Sequence, residues 1–242
     1  FYTMLRDLAG KAEEGAHPLL EVHAKMETVG IVLCTSDRGL CGSFNANMIK
    51  EGMKIAAEKA AEGKTVKFYC VGKKAREAAK KSEYELASAY VDVMNSFDFT
   101  LASKLGMDLI NSYLAKELDE VILVYGQFIS MARQVPTRLD LLPMASQDEE
   151  GEEAQSSEYI YEPEVEGLLA ELLPRFIKVQ VYRGLLDTSA SEHAARMSAM
   201  DNATNACNDM IESLTLVYNK TRQAAITGEL MDIVSGVEAL KG

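Results

Sequence analysis

The chain has 242 residues, 48% of them hydrophobic and 26% charged, with a formal net charge of −12 at pH 7. This composition is typical of a folded chain with room for one domain and an extension, and the negative charge argues against general nucleic-acid binding, which needs a basic face. No apolar run approaches the roughly 18 residues that span a bilayer, so we expect any membrane association to go through partners.

The first ten residues have apolar side chains at helical spacing, with Phe1, Leu5 and Leu8 on one face. We interpret them as the end of a helix whose beginning lies upstream of Phe1. Residues 1–27 are therefore predicted to hold this helix end and a linker.

Residues 28–162 are predicted to form an α/β domain, because short apolar runs alternate with helical patterns. The predicted strands cover residues 29–35, 66–71, 85–93, 121–130 and 135–142, and the predicted helices begin near Asn45, Lys73 and Ser103. The first run is apolar throughout, as expected of a parallel strand buried on both faces. Pro136 favours an edge position for the last strand. The predicted fold is a Rossmann-like parallel-sheet domain.

The turn between the first strand and its helix has the sequence Ser-Asp-Arg-Gly-Leu-Cys-Gly-Ser at residues 36–43. Doubly wound folds bind phosphates at this place, on backbone N–H groups at a helix N-terminus. However, Gly39 and Gly42 do not form GxGxxG, there is no GxxxxGK[ST], and no acidic residue ends the second strand. Two interpretations stay open: a nucleotide site, or a tight turn whose glycines adopt positive φ and whose Asp37 and Arg38 pair locally.

The cysteines and histidines indicate no catalytic or metal site. The four cysteines lack CxxC spacing and are predicted to be reduced thiols, three of them among apolar neighbours, and Cys41 has no basic partner that would make it a nucleophile. The three histidines lack metal-ligand spacing. These residues are Cys34, Cys41, Cys70, Cys207, His17, His23 and His193. We predict no catalytic, cofactor-binding or metal-binding residue.

Residues 163–242 are predicted to form a long C-terminal helix. Residues 146–157 before it are acidic and predict a solvated loop. A short helical piece at 164–173 precedes Pro174, and no proline follows. Beyond Pro174 one set of residues alternates at spacings of four and three, which is the seam of a coiled coil and requires a partner helix. The set is Leu186, Ala190, His193, Met197, Met200, Thr204, Cys207, Ile211, Leu214, Tyr218, Thr221 and Ala225. The alternative is two helices broken at Gly184 or Gly228, although glycine costs a helix only about 1 kcal/mol relative to alanine.

Two parts of the chain resemble the gamma subunit of F-type ATP synthases. The sequences ASEHAARMSAMDNAT at residues 190–204 and LTLVYNKTRQAAITGELMDIVSG at 214–236 resemble its C-terminal helix. The turn at 36–43 resembles the opening of its α/β domain, which binds no nucleotide, but departs at Ser43, where a third glycine is common. The resemblance implies that an N-terminal helix pairs with the seam as an antiparallel coiled coil.

The resemblance also implies a function without bond-making chemistry. Such a chain is a central rotor shaft that couples proton-driven rotation to ATP synthesis or hydrolysis in a catalytic head, and it needs no cofactor. The implied partners are the catalytic and nucleotide-binding subunits of the head, an epsilon-type central-stalk subunit and the membrane ring of proton-carrying subunits. The implied location is the cytoplasmic side of a bacterial inner membrane, with the matrix side of the mitochondrial inner membrane as the alternative.

The resemblance further implies a partner-binding site near the end of the helix. Its residues are Arg222, Gln223, Thr227 and Glu229, which match positions that meet loops of the catalytic subunits. The alternative for these four residues is an ordinary solvated helix face. Two other functions stay open: an α/β enzyme that binds a nucleotide at residues 36–43 and dimerises through its helix, or a coiled-coil scaffold.

Overall fold

A computed structural model describes residues 17–23, 25–144, 165–240 and 242. Its centre is a five-stranded sheet with the order β3-β2-β1-β4-β5. The strands are β1 (Thr28–Cys34), β2 (Thr65–Val71), β3 (Glu85–Tyr90), β4 (Glu120–Ser130) and β5 (Arg133–Leu142). All five predicted strands are confirmed.

The sheet is mixed and not wholly parallel. Strands β1 to β4 run parallel, whereas β5 pairs antiparallel with β4 at the edge. Only residues 131 and 132 connect β4 to β5, and a parallel pairing needs a crossover of a dozen residues or more. The short connection therefore forces the antiparallel hairpin that the prediction of a parallel sheet had missed.

Helices cover both faces of the sheet. Helix α1 (Phe44–Ala61) and helix α2 (Lys73–Ala79) pack on one face. Helix α3 (Phe99–Leu114) packs on the other face, beside the beginning of helix α4 (Val165–Ala239). Helix α3 begins earlier than predicted because the Asp98 carboxylate accepts the N–H groups of Thr100 and Leu101 and so caps it.

Helix α4 is a single helix of 75 residues, with Pro174 inside it. At about 1.5 Å per residue it is about 110 Å long. The predicted long helix is confirmed, but it begins at Val165 and not at Pro174, because the helical piece predicted before the proline is part of it. Leu169 and Leu173 before the proline and Ile177 after it are all fully buried in one core, and their packing offsets the hydrogen bond that proline cannot donate. The prediction that Gly184 and Gly228 do not break the helix is confirmed.

The chain divides into two compact units, Phe1–Arg196 and Met197–Gly242. In the first unit α4 packs against the sheet. In the second unit the large apolar side chains of α4 are exposed, Met210 by 64% and Tyr218 by 65%. The predicted N-terminal helix end, the acidic loop and the boundary at 162/163 lie outside the described residues, so the predicted domain boundaries stay predictions.

The segment before β1 is fastened to the loop before β4 by one aspartate. The Asp119 carboxylate accepts the backbone N–H groups of Glu27 and Thr28 at 2.9 Å and lies 2.8 Å from His23 Nδ1. The His23 ring stacks on Tyr113 at 4.5 Å between centroids. Burial alone would raise the pKa of Asp119, but the bonds from His23 and the two N–H groups outweigh it and hold that pKa below its usual value.

Candidate functional site

The turn after β1 is organised around a buried carboxylate. The side chain of Asp37 accepts three backbone N–H groups at 2.9 Å, from Lys73 at the start of α2 and from Asp92 and Met94 after β3. The expected local pairing of Asp37 with Arg38 is wrong, because the carboxylate turns inward to these donors. Asp37 thus ties together the carboxyl ends of β1, β2 and β3.

The rest of the turn is braced from α1. The Asn45 side chain donates to the carbonyl of Arg38 at 3.2 Å and contacts the Ser36 hydroxyl at 2.7 Å. Gly42 adopts positive φ (57°), as predicted, whereas the second positive φ belongs to Leu40 (62°) and not to Gly39. The side chain of Leu40 is 76% exposed.

The crevice beside this turn is occupied by helix α4. In an open α/β sheet, ligands bind outside the carboxyl ends of the strands where the strand order reverses, which here lies between β1 and β4. Thr188 and Ser191 of α4 bond the backbone of Gly126 in β4, and Arg196 Nη2 donates to the carbonyl of Gly39 after β1 at 3.2 Å. The place where a nucleotide would lie is therefore filled by the chain's own helix.

The residues in this crevice are small or polar, and the sequence analysis missed them. Thr188 and Ser191 are fully buried, and Glu192, which pairs with Arg196, is 2% exposed. The signal was present in the sequence: Gly184, Thr188 and Ser191 are spaced by four and three, like the predicted seam. They lie on a different face from the seam, and their small size hid their importance.

The predicted seam is a separate, exposed face of α4. Within Phe1–Arg196, Leu186, Ala190 and His193 are exposed while Thr188 and Ser191 between them are buried. Within Met197–Gly242, Met197, Ile211 and Leu214 are exposed by 60–64%. The described residues contain no helix that covers this face, so the coiled-coil partner stays a prediction.

The four predicted partner-binding residues lie on α4 in the second unit, and all are exposed. Arg222 and Glu229 are seven positions apart, about two turns, and share one side of the helix. Gln223 and Thr227 are four positions apart and share another side. Among the described residues, none of the four has a side-chain hydrogen bond or an ion pair to another side chain. The helix therefore presents two pairs of free polar groups and does not gather them into one pocket.

No metal or membrane-spanning element is found in the described part of the chain. It contains no group of three or more His, Cys, Asp or Glu residues placed to hold a metal ion, and no helix with the length and apolar composition needed to cross a bilayer. Its cysteines are free. Cys34, Cys41 and Cys70 are buried and Cys207 is exposed, and burial raises the pKa of Cys70 to about 12.

Comparison with known proteins connects this architecture to one family. Residues 1–240 match the family described as ATP synthase. The ATP synthase gamma chain of Nitratidesulfovibrio vulgaris (Miyazaki F) is 68% identical over 245 residues, covering 100% of this chain and 84% of that protein. The gamma chain of Lawsonia intracellularis is 49% identical, covering 100% of this chain and 83% of its own length.

Two solved structures share the fold. The Euglena gracilis mitochondrial ATP synthase, resolved with its F1 part and c-ring, contains a chain with TM-score 0.67 and 19% identity, covering 99% of this chain and 84% of that chain. The central stalk and c-ring structure from Tetrahymena thermophila mitochondrial ATP synthase gives TM-score 0.60 and 24% identity, covering 83% and 86%. The family is shown by the sequence identity to the bacterial relatives over the full length of this chain. The chain belongs to the ATP synthase gamma chain family.

Proposed function

We propose that this chain is the central-stalk subunit of a rotary ATP synthase and that it couples rotation to catalysis in a surrounding head without catalysing a reaction itself. The observation that carries this proposal is the 75-residue helix α4, which is anchored in an α/β domain and has an exposed apolar seam. No globular domain of this size buries such a helix. The proposed division is a basal domain at residues 28–162 and a shaft helix at 163–242.

The exposed seam requires a second helix. Leaving apolar surface in water forfeits about 25 cal/mol per Å². In Met197–Gly242 the large side chains that the seam leaves exposed are Met197, Met200, Ile211, Leu214 and Tyr218. We propose that a second helix pairs antiparallel with this face. A paired shaft resists bending and twisting better than one helix.

The partners follow from this arrangement. The proposed partners are the catalytic and nucleotide-binding subunits of the head around the shaft, and an epsilon-type subunit and the proton-carrying membrane ring at the α/β domain. The chain would then lie peripherally on the cytoplasmic side of a bacterial inner membrane and change the populations of neighbouring catalytic conformations as it turns.

Arg222, Gln223, Thr227 and Glu229 are the proposed contacts with the catalytic subunits. Their polar groups are exposed and have no side-chain partner among the described residues, so they are free to bond a rotating neighbour. Arg222 offers a planar donor group that binds carboxylates with two parallel hydrogen bonds.

The test is Arg222→Ala with Gln223→Ala in an ATP synthase reconstituted with this chain. We expect the isolated chain to lose at most about 0.5 kcal/mol of stability, because the two side chains are exposed. We expect the complex to assemble less well or to hydrolyse ATP with less proton pumping. The control is Glu212→Ala with Ser213→Ala, an exposed pair about three turns away. Assembly, rate and coupling equal to those of the control would remove these residues from the site.

A further inference from the structure

We propose that Thr188 and Ser191 fix the rotational setting of α4 on the sheet and thereby carry torque between the helix and the α/β domain. This inference rests on the proposed function as a shaft. It concerns only residues of the first unit, Phe1–Arg196. It assigns a positioning role to two hydroxyl groups in a crevice that other α/β proteins use for ligands.

The two hydroxyl groups bond both backbone polar groups of one glycine. The Gly126 N–H donates to Thr188 Oγ1 at 3.1 Å, and the Gly126 carbonyl accepts from Ser191 Oγ at 2.9 Å. The Thr188 hydroxyl in turn donates to the Gly184 carbonyl one turn earlier at 2.7 Å. All of these groups are buried, so their donors and acceptors are satisfied with one another.

Strand β4 needs these bonds because its neighbours end or cannot supply them. The register of β1 with β4 stops at Leu33 and Val124, two residues before Gly126. Across β5, the residue opposite Gly126 is Pro136, which has no N–H, so the two residues cannot exchange the pair of hydrogen bonds of an antiparallel ladder. Buried backbone N–H and C=O groups are almost always paired. Helix α4 therefore continues the hydrogen bonding of β4 on the side where β1 has ended.

Glycine permits the close approach that these bonds require. A Cβ placed on Gly184 of α4 would lie 2.8 Å from Leu123 Cδ2 and 3.4 Å from Tyr125 Cβ, both in β4. The helix backbone thus lies close against the strand. Side chains as short as serine and threonine reach the strand backbone only at such a distance.

The hydrogen bonds fix the rotation of α4 about its own axis, which its apolar contacts do not fix. The buried leucines and aliphatic residues earlier in the helix, from Leu169 to Leu185, hold it to the core. Apolar attraction is non-directional and cores tolerate repacking, whereas hydrogen bonds weaken steeply with angle. One residue step is a turn of about 100°, so a small slip of the helix breaks both bonds to Gly126. Arg196, bonded to the Gly39 carbonyl and to Glu192, adds a third directional contact.

The test uses Thr188→Val with Ser191→Ala in an ATP synthase reconstituted with this chain. Both changes keep the approximate size of the side chain and remove its hydroxyl. Loss of one hydrogen bond should raise the equilibrium constant for opening of the helix from the sheet about fivefold. Loss of both bonds should therefore raise it on the order of 25-fold. Hydrogen exchange of residues 184–196 in the full chain measures this opening. In the complex, we expect ATP hydrolysis to continue while the proton pumping per ATP hydrolysed falls.

Two controls separate a positioning role from a general loss of stability. Thr188→Ser keeps the hydroxyl, so as a single change it should pump like the unsubstituted chain, whereas Thr188→Val as a single change should lower the pumping ratio. Thr215→Val makes the same change at another threonine of α4, whose hydroxyl bonds only the Ile211 carbonyl of its own helix. This variant should pump like the unsubstituted chain.

The outcomes distinguish this inference from the proposed function. A pumping ratio equal to that of the unsubstituted chain would overturn the torque role of Thr188 and Ser191. If the double variant does not assemble, Ser191→Ala alone, which removes one bond, is judged by the same ratio. Failure of the unsubstituted chain to support coupled turnover would instead refute the proposed function.

Discussion

Replacing Asp37 by asparagine should destabilise the α/β domain strongly, although the two side chains have the same shape. The carboxylate accepts N–H groups from Lys73 and Asp92 on one oxygen and from Met94 on the other. Asparagine keeps one oxygen, so its NH₂ group must face at least one of these donors. A buried donor then has no acceptor.

The cost follows from these three bonds. A hydrogen bond to a charged group contributes about 1.5–3 kcal/mol, and one such bond is lost. The remaining two bonds then have a neutral acceptor, and a hydrogen bond to a charged acceptor is roughly twice as strong as one to a neutral acceptor. Part of this loss is offset because the asparagine variant no longer buries the charge of the carboxylate, which is unfavourable. We expect the free energy of unfolding to fall by about 3 kcal/mol.

The matched control is Asp98→Asn. Asp98 also accepts backbone N–H groups, from Thr100 at 2.9 Å and Leu101 at 3.4 Å, but at the exposed start of α3. Asparagine caps helices about as well as aspartate, so this change should be nearly neutral. Urea unfolding, followed by the near-ultraviolet circular dichroism of the buried tyrosines, measures both variants. A cost for Asp37→Asn within about 0.5 kcal/mol of the control would refute the argument.

Four further outcomes are expected. Gly72→Ala should destabilise the domain by at least about 2 kcal/mol more than Gly63→Ala, which is the cost of a clash in a well-packed core. Both glycines have positive φ, but only at Gly72 would a Cβ overlap the Thr35 carbonyl. Equal melting temperatures of the two variants would contradict this. The free energy of unfolding should fall as the pH drops from the pKa of Asp119 in the unfolded chain, near 3.8, towards the lower pKa of Asp119 in the folded chain. Asp119→Asn should make the free energy of unfolding less dependent on pH in this acidic range. Under native conditions a thiol reagent should modify Cys207 first, because the other three cysteines are buried; fast modification of a second thiol would show that the core opens. Calorimetry with ATP, ADP and NAD should detect no micromolar binding, because α4 fills the crevice.

Local patterns in the sequence predicted most elements of the fold. Apolar runs marked β1, β2 and β4, because buried parallel strands are apolar on both faces, and Pro136 marked the edge strand β5. The seam of α4 was also predicted, since a spacing of four and three places residues on one face whatever the rest of the chain does. The structure confirms that this face is exposed and that the core packs on another one.

Contacts between distant residues were not visible in the sequence. Asp37 was expected to pair with its neighbour Arg38, but its donors Asp92 and Met94 lie 55 and 57 positions away. The helix was expected to begin at Pro174, and burial of residues on both sides of the proline decided otherwise. In each case a long-range contact outweighed a local preference.

The sequence by itself determined an α/β domain, a long helix with an unpartnered seam, and residues that resemble the gamma subunit family. It determined these because periodicity and motifs depend only on residues that are close in the sequence, and not on which segments pack together in the fold. Only the tertiary structure decided what the carboxyl edge of the sheet does. The spacing of Gly184, Thr188 and Ser191 does not identify Gly126 as their partner. Their role appears only when the end of β1 leaves the backbone of β4 without a partner and α4 supplies one. Hydrogen bonds between segments about 60 residues apart depend on that geometry, which no local pattern contains.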